Sequence, residues 1–315
     1  MLGSVALVVE LVDRFRPPTG NIARMKRSLF ALFVTAWMAP SWAQLPVKVY
    51  AQELVDRVVA IHPDLLVIAL SVDGTKGANG TDCTIIASNI GRLGTGCDPV
   101  KNSDVAEKDN YVDLNRVVDH IETRFALRDA MGDPVGTINL RWPNRVDQEF
   151  ALLKPRALSV RDWLAQRILS KANLLDPFPF VNSATTKTHA QRLIDEIQLR
   201  DPDVRVLALR GRRTGAGELV VLGSTFGRHG KLADADDLKI LNRTEPVTGI
   251  FSNGKRFGID LPFRTATGTV IGTMNVGYRY RNGDDQKQLL AKAMVLRDSL
   301  ERRVTTAESL QALDP

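Results

Sequence analysis

The sequence predicts an α+β protein made of two related modules, each an antiparallel sheet flanked by an N-terminal helix, with a further helix linking them. Three observations carry that expectation. The chain matches itself in the same order at three places. Within each matching region a stripe of helical period gives way to short runs rich in β-branched residues. Glycine-containing turns then separate those runs at hairpin spacing.

The self-match begins at Ala51-Gln52-x-Leu54-x-Asp56, Pro63-Asp64 and Val67-Ile68-Ala69-Leu70, which recur as Ala190-Gln191-x-Leu193-x-Asp195, Pro202-Asp203 and Val206-Leu207-Ala208-Leu209. Next, Ala87-Ser88-Asn89-Ile90-Gly91-Arg92-Leu93-Gly94 meets Gly223-Ser224-Thr225-Phe226-Gly227-Arg228-His229-Gly230. Val135-Gly136-Thr137-Ile138-Asn139-Leu140 then meets Ile271-Gly272-Thr273-Met274-Asn275-Val276. A unit of this size is an ordinary single domain, and the 315 residues hold two of them.

Each unit opens with a helix. Tyr50, Leu54, Val58 and Ile61 share one face, as do Ala190, Leu193, Ile194 and Ile197, and a His-Pro or Asp-Pro step stops each stripe. Strands are expected over 65–71 and 83–88, then 204–209 and 219–224. Polar segments cross next, 98–109 and 233–241, with Asp236-Asp237 suited to the first turn of a helix. Two strands close each unit, 123–128 with 136–142 and 258–263 with 272–280. Between the units Ser159 reads as an N-cap for a helix striped by Leu164, Ile168 and Ala172. Leu289, Ala293, Leu296, Leu300 and Val304 mark a last helix. The boundaries are therefore 44–150 for the first module, 151–185 for the linker helix and loop, 186–283 for the second module and 284–315 for the C-terminal helix and tail.

The amino end has the grammar of export. From Met25, two cations precede an apolar stretch 29–38 and then Ser41-Trp42-Ala43, which reads as a signal peptide over 25–43 and places the protein in the periplasm. Residues 1–24 read as a non-native upstream extension. The apolar stretch is shorter than the ~20 residues that span a bilayer, and no other segment reads as a membrane span. The whole chain carries 42 Lys+Arg against 36 Asp+Glu, but loss of 1–43 leaves 37 against 34. An excess that small, without basic runs interleaved with aromatics, argues against nucleic acid. In an oxidising compartment Cys83 and Cys97 can form one disulfide, two unpaired thiols being the other reading.

The run His62-Pro63-Asp64, Val67-Ile68-Ala69-Leu70, Ile85-Ile86-Ala87-Ser88-Asn89 and Gly94 resembles the extracytoplasmic Cache branch of the PAS-like sensor modules. The second copy departs from it at Gly223-Ser224-Thr225, and the final hairpins around Gly136 and Gly272 are similar to the family's last strand entry. The resemblance implies a small-molecule pocket between the sheet and the crossing segment. No match to the signature of the amino-acid-binding members is present, so the ligand stays open.

The candidate ligand-binding residues are Ser88, Asn89 and Arg92 in the first copy and Ser224, Thr225, Arg228 and His229 in the second, where the second strand enters its loop. An Arg beside hydroxyls suits a carboxylate, while a solvated turn is the plain alternative. Tyr278, Tyr280 and Trp142 are candidate pocket aromatics or core residues. Catalytic signals are poor: the four histidines stand apart, no Cys-x-x-Cys pair exists, and Gly223-Ser224-Thr225-Phe226-Gly227 is not a nucleophile elbow. The expectation is a non-enzymatic, exported small-molecule-binding protein of the sensor type, needing no cofactor or metal, with a periplasmic protein partner as its output. The other reading is a scaffold with filled pockets.

Overall fold

The computed structural model describes residues 48–74, 82–97, 113–116, 119–144, 150–215 and 217–313. The expected upstream extension, the signal peptide and the polar segment 98–109 lie outside the described residues.

Among the described residues, helix α1 (Tyr50–Ile61) precedes β1 (Val67–Asp73), β2 (Cys83–Ser88), β3 (Asp113–Arg116), β4 (His120–Arg128) and β5 (Pro134–Pro143). Then come α2 (Phe150–Ala165), the one-turn α3 (Lys171–Leu174) and α4 (His189–Arg200). The second half repeats the plan with β6 (Val204–Arg212), β7 (Leu219–Ser224), α5 (Ala235–Ile240), β8 (Val247–Phe251), β9 (Arg256–Arg264), β10 (Val270–Arg279) and α6 (Gln286–Glu301). The strands form two antiparallel five-stranded sheets of matching order, β2-β1-β5-β4-β3 and β7-β6-β10-β9-β8. Ala69 stands opposite Ser88 and Asn139, and Ala208 opposite Ser224 and Asn275.

Each sheet buries one face under helices. Leu54 and Val58 of α1 pack with Ile68, Leu70, Phe125, Ile138 and Leu140 of the first sheet. Leu193 and Ile194 of α4 and Ala293 and Leu300 of α6 pack with Leu207, Ile259, Met274 and Val276 of the second. Strand alternation delivers these residues to one side and leaves their neighbours for the other.

The region 151–185, read above as a linker, packs into the first core. Leu153, Ala157, Val160, Leu164, Ile168 and Leu174 join it, so α2 covers the first sheet as α6 covers the second. Both helices have 16 residues and each follows the last strand of its sheet. The N-cap expected at Ser159 is not observed. Ser159 lies inside α2, where its Oγ donates to the Arg156 carbonyl at 2.7 Å, the local bond that serine makes when a helix runs through it. Pro155 is accommodated within the same helix.

Cys83 and Cys97 are bridged, with their Cα atoms 5.2 Å apart. The second half shows what the bridge reinforces. Cys97 N donates to Cys83 O at 3.1 Å, and at the matching place Ala233 N donates to Leu219 O at 2.8 Å without a crosslink. The strand-loop contact is common to both halves, and the first adds a covalent clamp.

The halves touch through a small third core of Ala130, Met131, Val206, Ala208 and Phe226. Lys255 also pairs with Asp133, and Asn173 Nδ2 donates to the Phe226 carbonyl at 3.0 Å. Tyr50 of α1 packs on Gly227, which has φ 73° and no room for a side chain. None of the helices among the described residues is long and apolar enough to cross a membrane.

Candidate functional site

The sequence-matched residues at the end of the second strand prove to be parts of a clasp. In the first half, Gln52 Oε1 accepts from Ser88 N at 3.0 Å while its amide donates to Asp56 Oδ1 at 2.8 Å. In the second, Gln191 Oε1 accepts from Ser224 N at 2.9 Å and its amide donates to Asp195 Oδ1 at 2.9 Å. The repeated Gln-x-x-x-Asp is thus explained: one side chain on the first helix satisfies a strand-end N–H, and its neighbour one turn on holds it in place.

Asn89 and Thr225 do equivalent work. Asn89 Oδ1 accepts from Ile68 N at 2.9 Å, and Thr225 Oγ1 accepts from Leu207 N at 3.2 Å. Ser224 Oγ donates to the Gly227 carbonyl, and Ser88 Oγ accepts from Ile90 N at 3.2 Å. Ser224, Thr225 and His229 are 3, 3 and 2% exposed. Burial, with a smaller contribution from Arg57, lowers the His229 pKa to about 3, so its ring is neutral. Its Nε2 donates to Gln191 Oε1 at 2.8 Å, and Nδ1 is buried without a partner. These polar atoms are spent on the protein's own backbone and on Gln191, which leaves little of them to line a pocket.

The aromatic candidates are corrected to core residues. Tyr278 and Tyr280 lie in the helix-covered core of the second half, and Trp142 in that of the first. The strand positions that face the other way are the ones that line open space.

Arg92 and Arg228 do border cavities, one on the face of each sheet opposite its core helices. The first cavity measures about 200 Å³, and its floor carries Glu122, Arg124, Asn139 and Arg141. There Asn139 Nδ2 donates to Glu122 Oε1, and Arg141 stands 3.9 Å from the same carboxylate. Burial pushes the Glu122 pKa up, but Asn139 and the two guanidinium groups outweigh it and leave the carboxyl below its usual range. This floor pairs its own charges around Glu122, although Arg141 Nε is buried without a hydrogen bond.

The second cavity is larger, about 490 Å³. Its floor is Arg210 of β6, Arg256 and Asp260 of β9 and Asn275 of β10. Helix α5 and the loop around Lys231 form its rim. Asp234 caps α5 by accepting from Asp236 N at 3.0 Å and Asp237 N at 2.9 Å, while the Asp237 side chain returns to Asp234 N, a reciprocal box that fixes the rim helix. Arg210 Nε lies 3.0 Å from Asp237 Oδ2, yet the pair is poorly aligned, and Nε and Nη1 make no hydrogen bond. Arg256 Nε is buried without a partner as well, with its guanidinium 5.0 Å from the Phe251 ring. Asn275 Nδ2 donates to Asp260 Oδ1 at 2.6 Å. Burial nevertheless raises the Asp260 and Asp237 pKa values and lowers that of Arg256. Both guanidinium groups are thus only partly satisfied by the protein's own acceptors, and a buried N–H without one is costly. Arg228 stands at the rim, with Nε donating to Asp176 Oδ2 at 2.7 Å.

Of the sequence candidates in the second copy Arg228 alone lines this cavity, and none of its floor residues was among them. The signal was the polar set Arg210, Arg256, Asp260 and Asn275 at positions alternating with core residues, which in a sequence looks the same as a solvated sheet face.

No protein-family model matches the chain, and no curated protein matches it. Among solved structures, the Escherichia coli DhaR(N)-DhaL complex aligns over 88% of this chain and 98% of that chain at 13% identity, with a TM-score of 0.26. An extracellular ligand binding receptor from Desulfohalobium retbaense aligns over 73% of this chain and 33% of that chain at 10% identity, TM-score 0.22. The periplasmic domain of RsbU from Chlamydia trachomatis aligns over 91% of each chain at 8% identity, TM-score 0.21. Likeness at this level assigns neither family nor function, and the functional reading rests on the chain's own geometry.

Proposed function

We propose that this is an exported small-molecule-binding protein of the sensor type, built from two Cache-like modules, and that its ligand occupies the cavity on the second sheet. The observation that carries this reading is that Arg210 and Arg256, whose buried Nε atoms make no hydrogen bond within the protein, line this cavity side by side with Asp260 and Asn275. A small organic acid fits them, its carboxylate taking the guanidinium N–H groups and a second donor, hydroxyl or amine, meeting Asp260. The two antiparallel sheets flanked by helices suit a PAS-like or Cache-like sensor, and the disulfide suits an oxidising compartment. A scaffold with filled pockets is the weaker reading, because a volume of about 490 Å³ borders the second sheet. A non-catalytic role is in keeping with Ser224, whose hydroxyl is given to the Gly227 carbonyl and not to a base.

The test is a thermal-shift screen of the purified protein against organic acids, amines and nucleobases. At least one small acid should raise Tm, a ligand at 100 times its Kd adding about 2.7 kcal/mol to stability. Arg256→Gln should weaken that acid by tenfold or more, in line with the ~1.5–3 kcal/mol of a hydrogen bond to a charged group. Uniform silence across the panel contradicts the proposal.

A further inference from the structure

A second cavity of about 490 Å³ lies where the halves meet, away from the floor just described. It draws two arginines from each half: Arg128 at the end of β4 and Arg161 on α2, Arg205 on β6 and Arg279 at the end of β10. Among the described residues the carboxylates that line the cavity with them are Asp129 and Asp162. Both are already committed. Asp129 Oδ1 accepts from Met131 N and Asp133 N, each at 2.9 Å, and Asp162 Oδ1 takes Arg161 at 2.7 Å. Arg128 Nη1 donates to the Gly132 carbonyl at 2.9 Å. Arg205 Nε is buried without a hydrogen bond, and among the described residues neither Arg205 nor Arg279 has an ion-pair partner. Burial and then the neighbouring Arg279 lower the Arg205 pKa, and the opposing charges of Asp203 and Asp162 do not offset them.

The second half contains the answer to the first. Arg264 ends β9 as Arg128 ends β4, and Arg297-Asp298 sits on α6 as Arg161-Asp162 sits on α2. At that place in the second half Glu301 supplies the missing anion. Its Oε1 accepts from Arg264 N at 2.8 Å and lies 3.8 Å from Arg297 Nε. The matching residue of the first half, also the last of its helix, is Ala165, and Ala165 lines the cavity. One copy therefore carries its own carboxylate, and the other has an alanine and a space.

From this we infer that the arginine-lined cavity between the halves is a second binding site, for a small oxyanion of two or more negative charges that stands where Glu301 stands in the other half. Its occupant contacts arginines of both halves, so binding there bears on how they are held together. The site shares no lining residue with the second-sheet cavity.

Citrate and inorganic pyrophosphate are the probes, titrated calorimetrically into the purified protein at low ionic strength, with sodium chloride of matched ionic strength as control. One or both should bind saturably at one site; binding of citrate alone marks a polycarboxylate site and of pyrophosphate alone a phosphate site. Arg205→Gln and Arg279→Gln should each weaken it by about tenfold. Ala165→Glu should raise the ligand-free Tm and abolish binding by supplying the carboxylate internally. Absence of saturable binding by either probe, or equal binding by wild type and Arg205→Gln, overturns the inference, and the arginines then serve as counter-charges to the carboxyl end of α2. If Ala165→Glu misfolds by circular dichroism, the two glutamine variants decide alone.

Discussion

Gly272→Ala should destabilise the protein by about 3 kcal/mol or more, among the largest effects open to a single methyl group. Gly272 lies in β10 opposite Gly211 of β6, and a Cβ placed on it would overlap the Arg210 carbonyl oxygen, with the Arg210 carbonyl carbon only 2.9 Å away. These are backbone atoms at the centre of the sheet and have no rotamer to change. The strands would have to part, breaking the ladder that also places Arg210 and Asn275 on the cavity floor. Gly136 of the first half has the same relation to the Ser71 carbonyl, which explains why the Gly-Thr-x-Asn run recurs in both copies. Urea unfolding of the two alanine variants checks this. Midpoints within experimental error of wild type would mean that the sheet centre is looser than described.

Replacing His229 by glutamine should flatten the acid limb of the stability profile. In the folded protein the ring accepts a proton only at a pKa of about 3, against 6.5 for the ordinary group. Between those values the unfolded chain binds more protons than the folded one, so stability falls as pH falls below 6.5. The slope approaches about 1.4 kcal/mol per pH unit, or roughly 2–3 kcal/mol between pH 6.5 and 4.5. His229→Gln, which keeps a donor for Gln191, lacks that contribution. Unfolding at pH 7, 5.5 and 4.5 should show wild type losing more than the variant by that amount. Parallel slopes would show that the ring is solvated, and would return His229 to the list of ligand-contacting candidates.

Much of the framework was legible because the relevant physics is local. The stripes at Leu54 and Val58 and at Leu193 and Ile194, the Pro63 and Pro202 stops, and the β-branched runs read directly as α1, α4 and the central strands. Two of the edge strands, β3 and β8, were not. Asp113-Leu114-Asn115-Arg116 is polar at three of four positions and lacks the composition of a strand, while Val247–Phe251 is short and interrupted by Gly249, so their neighbours in the sheet decide their conformation. The beginning of α2 was hidden by Pro155 and by a serine that imitates a cap. Gln52 and Gln191 passed unremarked as functional side chains because an exposed-looking glutamine gives no hint that it will reach a strand end in three dimensions. The missed cavity floor has the same origin: alternation tells which residues share a face, and only the tertiary fold tells whether water or a ligand covers it.

The most direct test of the central claim is a crystal structure of the protein grown with the acid that stabilises it most. The account predicts one molecule of that acid on the second sheet, its carboxylate between Arg210 and Arg256 and its second polar group within hydrogen-bond distance of Asp260 or Asn275. A cavity filled by the protein's own side chains, or the acid bound solely among the arginines between the halves, would contradict it.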